Sequence, residues 1–266
     1  NDGSKDKTLE VLRQVSNQFE NVHYLSFSRN FGKEAGLLAG LEAAQGDYVT
    51  VMDADLQDPP ELLIEMYAKI QEGYDVVGTR RADRKGEPPI RSIFAKTFYW
   101  LINKVSDTEM VDGARDFRLM TRQVVDAILE LKEVNRFSKG LFSWVGFDVA
   151  YVSYENRERV AGETSWSFWK LLNYSLDGFI NFSEVPLKLA TWAGTFSFLI
   201  SLVGIVFVII RKLTIGGSVA GWASLVSIIL FIGGIQLLAL GIIGHYISKI
   251  FLETKKRPVY IIKEKG

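Results

Sequence analysis

The sequence predicts an α/β domain, a mostly parallel sheet flanked by helices, followed by a C-terminal hairpin of two membrane-spanning helices. Three observations carry that reading. Apolar strand-like runs alternate with helical periodicity through residues 1–164. Two long uncharged runs lie near the C-terminus. The charge is also split: 31 Lys and Arg balance 31 Asp and Glu over 266 residues, yet residues 189–266 hold eight basic and two acidic residues, leaving 23 and 29 for residues 1–188. A neutral chain is therefore an acidic piece of −6 joined to a basic piece of +6.

The balance argues against a nucleic-acid binder working through a broad basic surface. The absence of cysteine excludes a disulfide framework, thiolate zinc sites and a cysteine nucleophile. Two histidines, His23 and His245, are too few for a histidine metal centre and read as packing or interfacial residues.

The elements follow in order. Residues 7–18 predict a helix, 22–28 a strand, 33–44 a helix and 48–52 an apolar strand. A helix then opens at Pro59-Pro60, residues 75–79 form a strand and residues 90–104 a helix. Asn1-Asp2-Gly3-Ser4 reads as a turn after a strand, so at least one further strand of this sheet is expected outside the chain. In such sheets ligands sit at the carboxyl ends of strands, which directs attention to the residues that follow them.

Residues 189–210 are 22 residues without a formal charge, enough to cross a hydrocarbon core of about 30 Å as a helix. After Arg211-Lys212 and a Gly-rich turn, residues 222–248 form a second uncharged run. The expected organisation is a domain over 1–164 and an interfacial helix and juxtamembrane linker over 165–188. Two spans at about 189–211 and 222–248 and a basic tail over 249–266 complete it. Lys188, Lys249, Lys255, Lys256 and Arg257 outnumber the loop residues Arg211 and Lys212, which places domain and tail in the cytoplasm and the chain in the plasma (inner) membrane. Residues 166–182 mix aromatic and polar residues as an interfacial helix does, a plain core helix being the alternative. A pair of buried helices in a soluble core is the alternative for the two spans.

The strand at 48–52 runs into Asp53-Ala54-Asp55, then Leu56-Gln57-Asp58-Pro59-Pro60-Glu61. Carboxylates two residues apart at a strand end can share a hard cation, Mg²⁺ or Mn²⁺, whose shell substrate phosphates complete. Taken alone the pair is a weak signal, and helix capping accounts equally for Asp58.

These segments, together with Ser28-Arg29-Asn30-Phe31-Gly32-Lys33 and the opening Asn1-Asp2-Gly3-Ser4-Lys5-Asp6-Lys7-Thr8, resemble the successive signatures of family 2 glycosyltransferases with the GT-A fold. Asp116-Phe117-Arg118-Leu119-Met120, Asn135-Arg136-Phe137, Arg159-Val160-Ala161-Gly162-Glu163-Thr164-Ser165 and the paired spans resemble its polyprenyl-phosphate sugar transferases. Within that group the likeness is strongest to the bactoprenol glucosyltransferases of O-antigen modification, with dolichol-phosphate mannose synthases more distant.

The resemblance implies that Asp2 contacts the base or ribose of a nucleotide, with Arg29, Asn30 and Lys33 nearby, and that Asp53 and Asp55 lie at the diphosphate and metal. It implies Asp116 as catalytic base or acceptor-orienting carboxylate, with Asp55 beside it in catalysis; the alternative is that Asp116 merely pairs with Arg118 or another arginine. A lipid-phosphate acceptor has a second pKa of about 6, so it is largely a competent nucleophile at pH 7 and needs a cationic clamp more than a strong base. Arg118, Arg136, Lys139, Arg157 and Arg159 are the candidates, ordinary surface charge being their alternative.

The function expected is inverting, metal-dependent transfer of a hexose, glucose from UDP-glucose, to undecaprenyl phosphate at the cytoplasmic face. Mannosyl or modified-arabinosyl transfer is the rival, and a non-catalytic scaffold a remoter one. Expected partners are a UDP-sugar donor, the lipid acceptor, the membrane, a second copy packed through Gly233, Gly234, Gly241 and Gly244, and a downstream flippase and membrane glycosyltransferase.

Overall fold

The computed structural model describes residues 1–55, 57–81, 99–104, 111, 113–154, 183–214 and 221–266. In chain order the elements are α1 (Thr8–Gln18), β1 (Leu25–Phe27), α2 (Lys33–Ala43), β2 (Tyr48–Val51), α3 (Leu62–Gln71) and β3 (Val76–Arg81). They continue with β4 (Ala114–Thr121), α4 (Arg122–Glu130), α5 (Ser138–Trp144), β5 (Val149–Tyr154), α6 (Val185–Thr214), α7 (Trp222–Thr254) and β6 (Ile262–Lys265). Residues 99–104 are also helical. The chain divides into two compact units, Asn1–Phe182 with Lys256–Gly266, and Ser183–Lys255.

In the first unit the described strands of the main sheet run β2-β4-β3-β5. Strands β3 and β5 pair in parallel, whereas β4 is antiparallel to both of its neighbours. Three strands therefore point one way and β4 the other, so the expected mostly parallel sheet is a mixed one. Period-2 alternation sorts the side chains onto two faces. Val76, Met120 and Val49 pack with Leu41, Val124, Val125, Ile128 and Phe142 from α2, α4 and α5. Val77, Phe117, Leu119 and Val152 face the other way and pack on Met66 and Ile70 of α3. Strand β4 is buried on both faces, with Phe117, Arg118, Leu119 and Met120 all enclosed.

Local chemistry explains the departures from expectation. The strand expected at 22–28 narrows to Leu25–Phe27, and His23 lies before it, exposed. Pro59 and Pro60 do not begin the helix expected there. Their carbonyls accept from Leu62 and Leu63 in a turn, and α3 starts at Leu62. Asp58 is no cap for it, being buried and bound elsewhere.

Strand β1 pairs antiparallel with β6 in a separate two-stranded sheet. The tail end is thereby part of the first unit. Phe27 stacks on Tyr260 at a ring distance of 5.0 Å, beside Ala35 and Ala39 of α2. Outside the ladder, the Glu264 carboxylate accepts from Arg13 Nε at 2.7 Å and Nη2 at 2.5 Å, and from the Tyr24 hydroxyl at 2.5 Å. These donors hold the Glu264 carboxyl at about 2, against 4.5 for a free glutamate.

In the second unit α6 and α7 are 30 and 33 residues long. At about 1.5 Å per residue each exceeds a bilayer core of about 30 Å. They run longer than the uncharged stretches alone. Leu189, Trp192, Phe196, Val203, Phe207, Leu237 and Leu238 are exposed, and the most apolar window of each helix buries nothing inside the protein. A water-soluble core helix would bury that surface, so the pair is suited to membrane association. Tyr246 donates to the Ser183 carbonyl at 2.6 Å, tying α7 to the residues that lead into α6. The interfacial helix expected over 166–182 lies outside the described residues.

A depressed carboxyl pKa contributes stability that is present above the unfolded value and lost as pH falls through the folded one. The Glu264 contribution is therefore expected intact above pH 4.5 and lost as pH falls through about 2. Glu264→Gln should lower the unfolding midpoint by roughly 2 °C at pH 7. It should also speed amide exchange in β1 and β6 while leaving β3 and β4 unchanged, and equal exchange in both sheets would refute the assignment.

Candidate active site

The antiparallel register of β2 and β4 builds the site. Tyr48 lies opposite Thr121 and Val51 opposite Arg118. Continued two residues past the end of β2, the same register sets Asp53 opposite Asp116. Two like charges facing across a strand pair repel, and the chain answers with a cation. Lys33, the first residue of α2, reaches Asp53 at 2.9 Å and Asp116 at 2.5 Å. One ammonium thus joins α2, the loop after β2, and β4.

The environment fixes the charge states. Burial works to lower the Lys33 pKa, but Asp116 and Asp53 outweigh it and raise it above its ordinary value. Burial likewise works to raise Asp116, and Lys139, Lys33 and Arg118 overcome it and hold the carboxyl at about 2. Asp116 is an ionised carboxylate throughout the physiological range. Its partner is Lys33; Arg118 gives only a backbone contact, from Nε to the Asp116 carbonyl at 3.3 Å.

Lys139, whose charge acts on Asp116, is carried by α5, which is docked on α2. Glu34, next to Lys33 on α2, accepts from the Ser138 amide at 3.0 Å and from the Ser138 hydroxyl. A carboxylate on the first turn of α5 satisfies a donor left free by helix geometry. The start of α2 is itself organised by Asp2, whose two oxygens accept from the amides of Phe31 at 2.6 Å and Gly32 at 2.9 Å. Gly32 has φ +97°, and a Cβ on Gly3 would sit 2.5 Å from the Arg29 backbone, so both positions require glycine.

The acidic loop after β2 is anchored at its far end as well. Asp55 accepts from the Gln57 amide at 3.2 Å. Asp58 is 1% exposed and accepts through Oδ1 from Tyr154 and from Arg115 Nε, the latter at 3.3 Å. Arg115 Nη2 also lies 3.4 Å from Gln57 Oε1. Burial works to lower the Arg115 pKa, and Asp58 and Tyr154 more than offset it.

The structure thus brings Lys33, Asp53 and Asp116 into contact, with the charge of Lys139 acting on Asp116 and Asp55 two residues beyond Asp53. Asp2 is engaged with backbone amides. Arg29 is exposed, lies over the Phe31 ring at 4.0 Å and donates to the Asn30 carbonyl. Arg118 and Arg136, expected in a phosphate clamp, are both buried. Arg118 stacks on Phe142 at 3.7 Å and donates to the Arg115 and Asp116 carbonyls, and burial pushes its pKa down. Arg136 donates to the Leu131 carbonyl, and burial lowers its pKa against the opposing pull of Glu133, Glu34 and Glu42. Arg157 and Arg159 lie outside the described residues. Sequence reasoning missed Glu34, Arg115 and Tyr154. Glu34 and Arg115 each adjoin a residue it selected, which was the available signal.

Among the described residues no group of three or more His, Cys, Asp or Glu converges as a metal site. The donor set fits a hard divalent ion nonetheless. Asp53 and Asp55 offer only oxygen, and the Lys33 ammonium stands as a cation between Asp53 and Asp116. Asp53 and Asp55 are the residues that would hold such an ion.

A family model described as Glycosyl transferase family 2 matches residues 1–129. Among individual relatives, CsbB of Bacillus subtilis, whose name assigns it only provisionally as a glycosyltransferase, is 50% identical over 99% of this chain and 80% of its own length. The SfII prophage-derived bactoprenol glucosyl transferase of Shigella flexneri is 44% identical over 99% and 85%. A prophage bactoprenol glucosyl transferase homolog of Escherichia coli K12 is 42% identical over 99% and 86%.

Arg118→Ala removes a buried cation from an aromatic face and from two carbonyls. The expected result is a stability loss of roughly 2–3 kcal/mol in denaturant unfolding, with no selective rise in the KM of either substrate. A rise confined to an anionic acceptor, at unchanged stability, would instead support the clamp role of Arg118.

Proposed function

The chain belongs to glycosyl transferase family 2 and is a glycosyltransferase, and from that premise we propose that it transfers glucose from UDP-glucose to undecaprenyl phosphate with inversion. One observation carries the reading: Asp53 and Asp116 converge on a single cationic position at the end of β2. The relatives named as bactoprenol glucosyl transferases align along 99% of the chain and support the choice of acceptor and sugar.

The chemistry follows from the charges. An acceptor phosphate oxygen attacks the anomeric carbon from the face opposite the diphosphate. The bond from that carbon to the diphosphate oxygen breaks, UDP departs with the bonding pair, and a β-linked lipid-phosphate sugar remains. Bound at Asp53 and Asp55, Mg²⁺ or Mn²⁺ supplies Lewis-acid neutralisation of the leaving diphosphate. Lys33 holds Asp53 in place and adds a positive charge near that group. Asp116 is too firmly ionised to be an effective base, and a phosphate acceptor does not require one. Its role is to fix Lys33 and to orient the incoming acceptor with Lys139, to which Arg157 and Arg159 add further cationic contacts. Asp2, Arg29 and Asn30 form the nucleotide side.

In this reading α6 and α7 cross the plasma membrane as a hairpin, with the catalytic domain and the C-terminus cytoplasmic. The concentration of Lys and Arg beside the outer ends of the pair supports that orientation. The enzyme works as a homo-oligomer, and its product is taken over by a flippase and a membrane glycosyltransferase.

Asp53→Ala and Asp55→Ala should each lower transfer at least about 100-fold with the unfolding midpoint retained. The measurement is sugar transfer to undecaprenyl phosphate from a panel of UDP-glucose, UDP-galactose and GDP-mannose. Transfer from GDP-mannose alone would replace glucose by mannose, and full activity of either variant would remove the metal assignment.

A further inference from the structure

Arg115 and Asp116 are neighbours on β4, so their side chains leave opposite faces of the sheet. Asp116 lies on the side of α2 and α5, where it binds Lys33 and, through it, Asp53. Arg115 shares the face of Phe117 and Leu119, the side of α3, where it binds Asp58 and Gln57. Tyr154, on the same face of β5 as Val152, adds its hydroxyl to the same Asp58 oxygen. The loop from Asp53 to Asp58 therefore straddles the end of β4, gripped on each side by one of two consecutive residues.

The Asp58 cluster is not what maximal stability selects. A buried carboxylate is costly unless all its acceptor capacity is used. The second oxygen of Asp58 is buried with no hydrogen-bond partner among the described residues. A well-packed apolar side chain would fill the same space without that cost. What the cluster supplies is direction. Pro59 disfavours a helical backbone at Asp58, the carboxylate is held from β4 and β5, and Asp55 accepts from the Gln57 amide. Asp53, held by Lys33, and Asp58, held from β4 and β5, thus flank Asp55 on either side.

We propose that Arg115, Asp58 and Tyr154 are positioning residues that set the donor and metal geometry of Asp53 and Asp55 without touching the reactants. This rests on the reading of Asp53 and Asp55 as the donor site. Partners that orient metal-binding carboxylates typically change metal affinity or activity by about 10–100-fold when removed.

The test uses the full-length chain purified in detergent, with Tyr154→Phe and Arg115→Lys, and Asp53→Ala as reference. Half-saturation by Mn²⁺ and by UDP-glucose is measured beside the KM for undecaprenyl phosphate. The rise in unfolding midpoint caused by Mn²⁺ with UDP is measured independently of turnover. Tyr154→Phe is expected to raise the Mn²⁺ and donor values about tenfold, leave the lipid-phosphate KM unchanged and shrink the ligand-induced midpoint rise. Arg115→Lys, which keeps the charge and loses the fork, should do the same to a smaller extent. If Asp53→Ala is inactive while both variants retain wild-type Mn²⁺ and donor values, the positioning role is overturned and the site reading stands. If Asp53→Ala is fully active, the site reading itself fails. A variant that loses midpoint without ligand, with all three saturation values moving together or none, shows a structural role only and also overturns the proposal. Should Tyr154→Phe not fold, Arg115→Lys decides by the same readouts.

Discussion

The Lys33 ammonium is the interaction on which the arrangement of this site depends. The register of β2 and β4, continued past the last ladder bond, sets two carboxylates opposite each other, and the cation between them relieves their repulsion. Lys33 can fill the gap because α2 begins there, and α2 begins there because Asp2 and Gly32 fix the backbone just before it. The next residue, Glu34, receives the first turn of α5 and so delivers Lys139 to the same place. A run of three residues, Gly32-Lys33-Glu34, thus coordinates a helix start, a pair of like charges and the docking of a second helix. Each of these contacts is modest alone, since Lys33 is 44% exposed and solvent screens it. Their strength lies in sharing one rigid helix end.

Much of this could be read from the sequence, and the reasons differ by residue. Asp53 and Asp55 were identifiable because an apolar strand running directly into two carboxylates is a local pattern. The two long apolar helices were identifiable because length without charge is also local. The reversal of β4 was not, since strand direction leaves no mark on a period-2 pattern and depends on the connection that precedes it. Arg118 shows the same limit. In Asp116-Phe117-Arg118-Leu119-Met120 the alternation looks half-exposed, but a central strand is covered on both faces, so the charged residue is buried against Phe142. Asp58 was open to a capping interpretation because its partners, Arg115 and Tyr154, are 57 and 96 residues away.

The distribution of charge acquires a physical explanation from these contacts. The acidic excess of residues 1–188 does not spread as a uniform field. Asp53 and Asp116 are matched by Lys33, Asp58 by Arg115, and Glu34 by the start of α5. These carboxylates are organising groups whose partners are already chosen, which leaves the remaining surface acids to keep the domain soluble beside a basic, apolar end.

The pairing of β1 with β6 bears on how the chain is made. A strand that follows α6 and α7 in the sequence completes a sheet whose other half precedes them both. During synthesis β1, α1 and the Arg13 and Tyr24 side chains exist well before their partner Glu264 is added, and both long apolar helices must emerge in between. The ring contact between Phe27 and Tyr260, packed against α2, therefore forms only after both long helices have been made. The long-range pairing is a late step by chain connectivity alone, so a nascent chain that has completed both long helices still has β1 waiting for its edge.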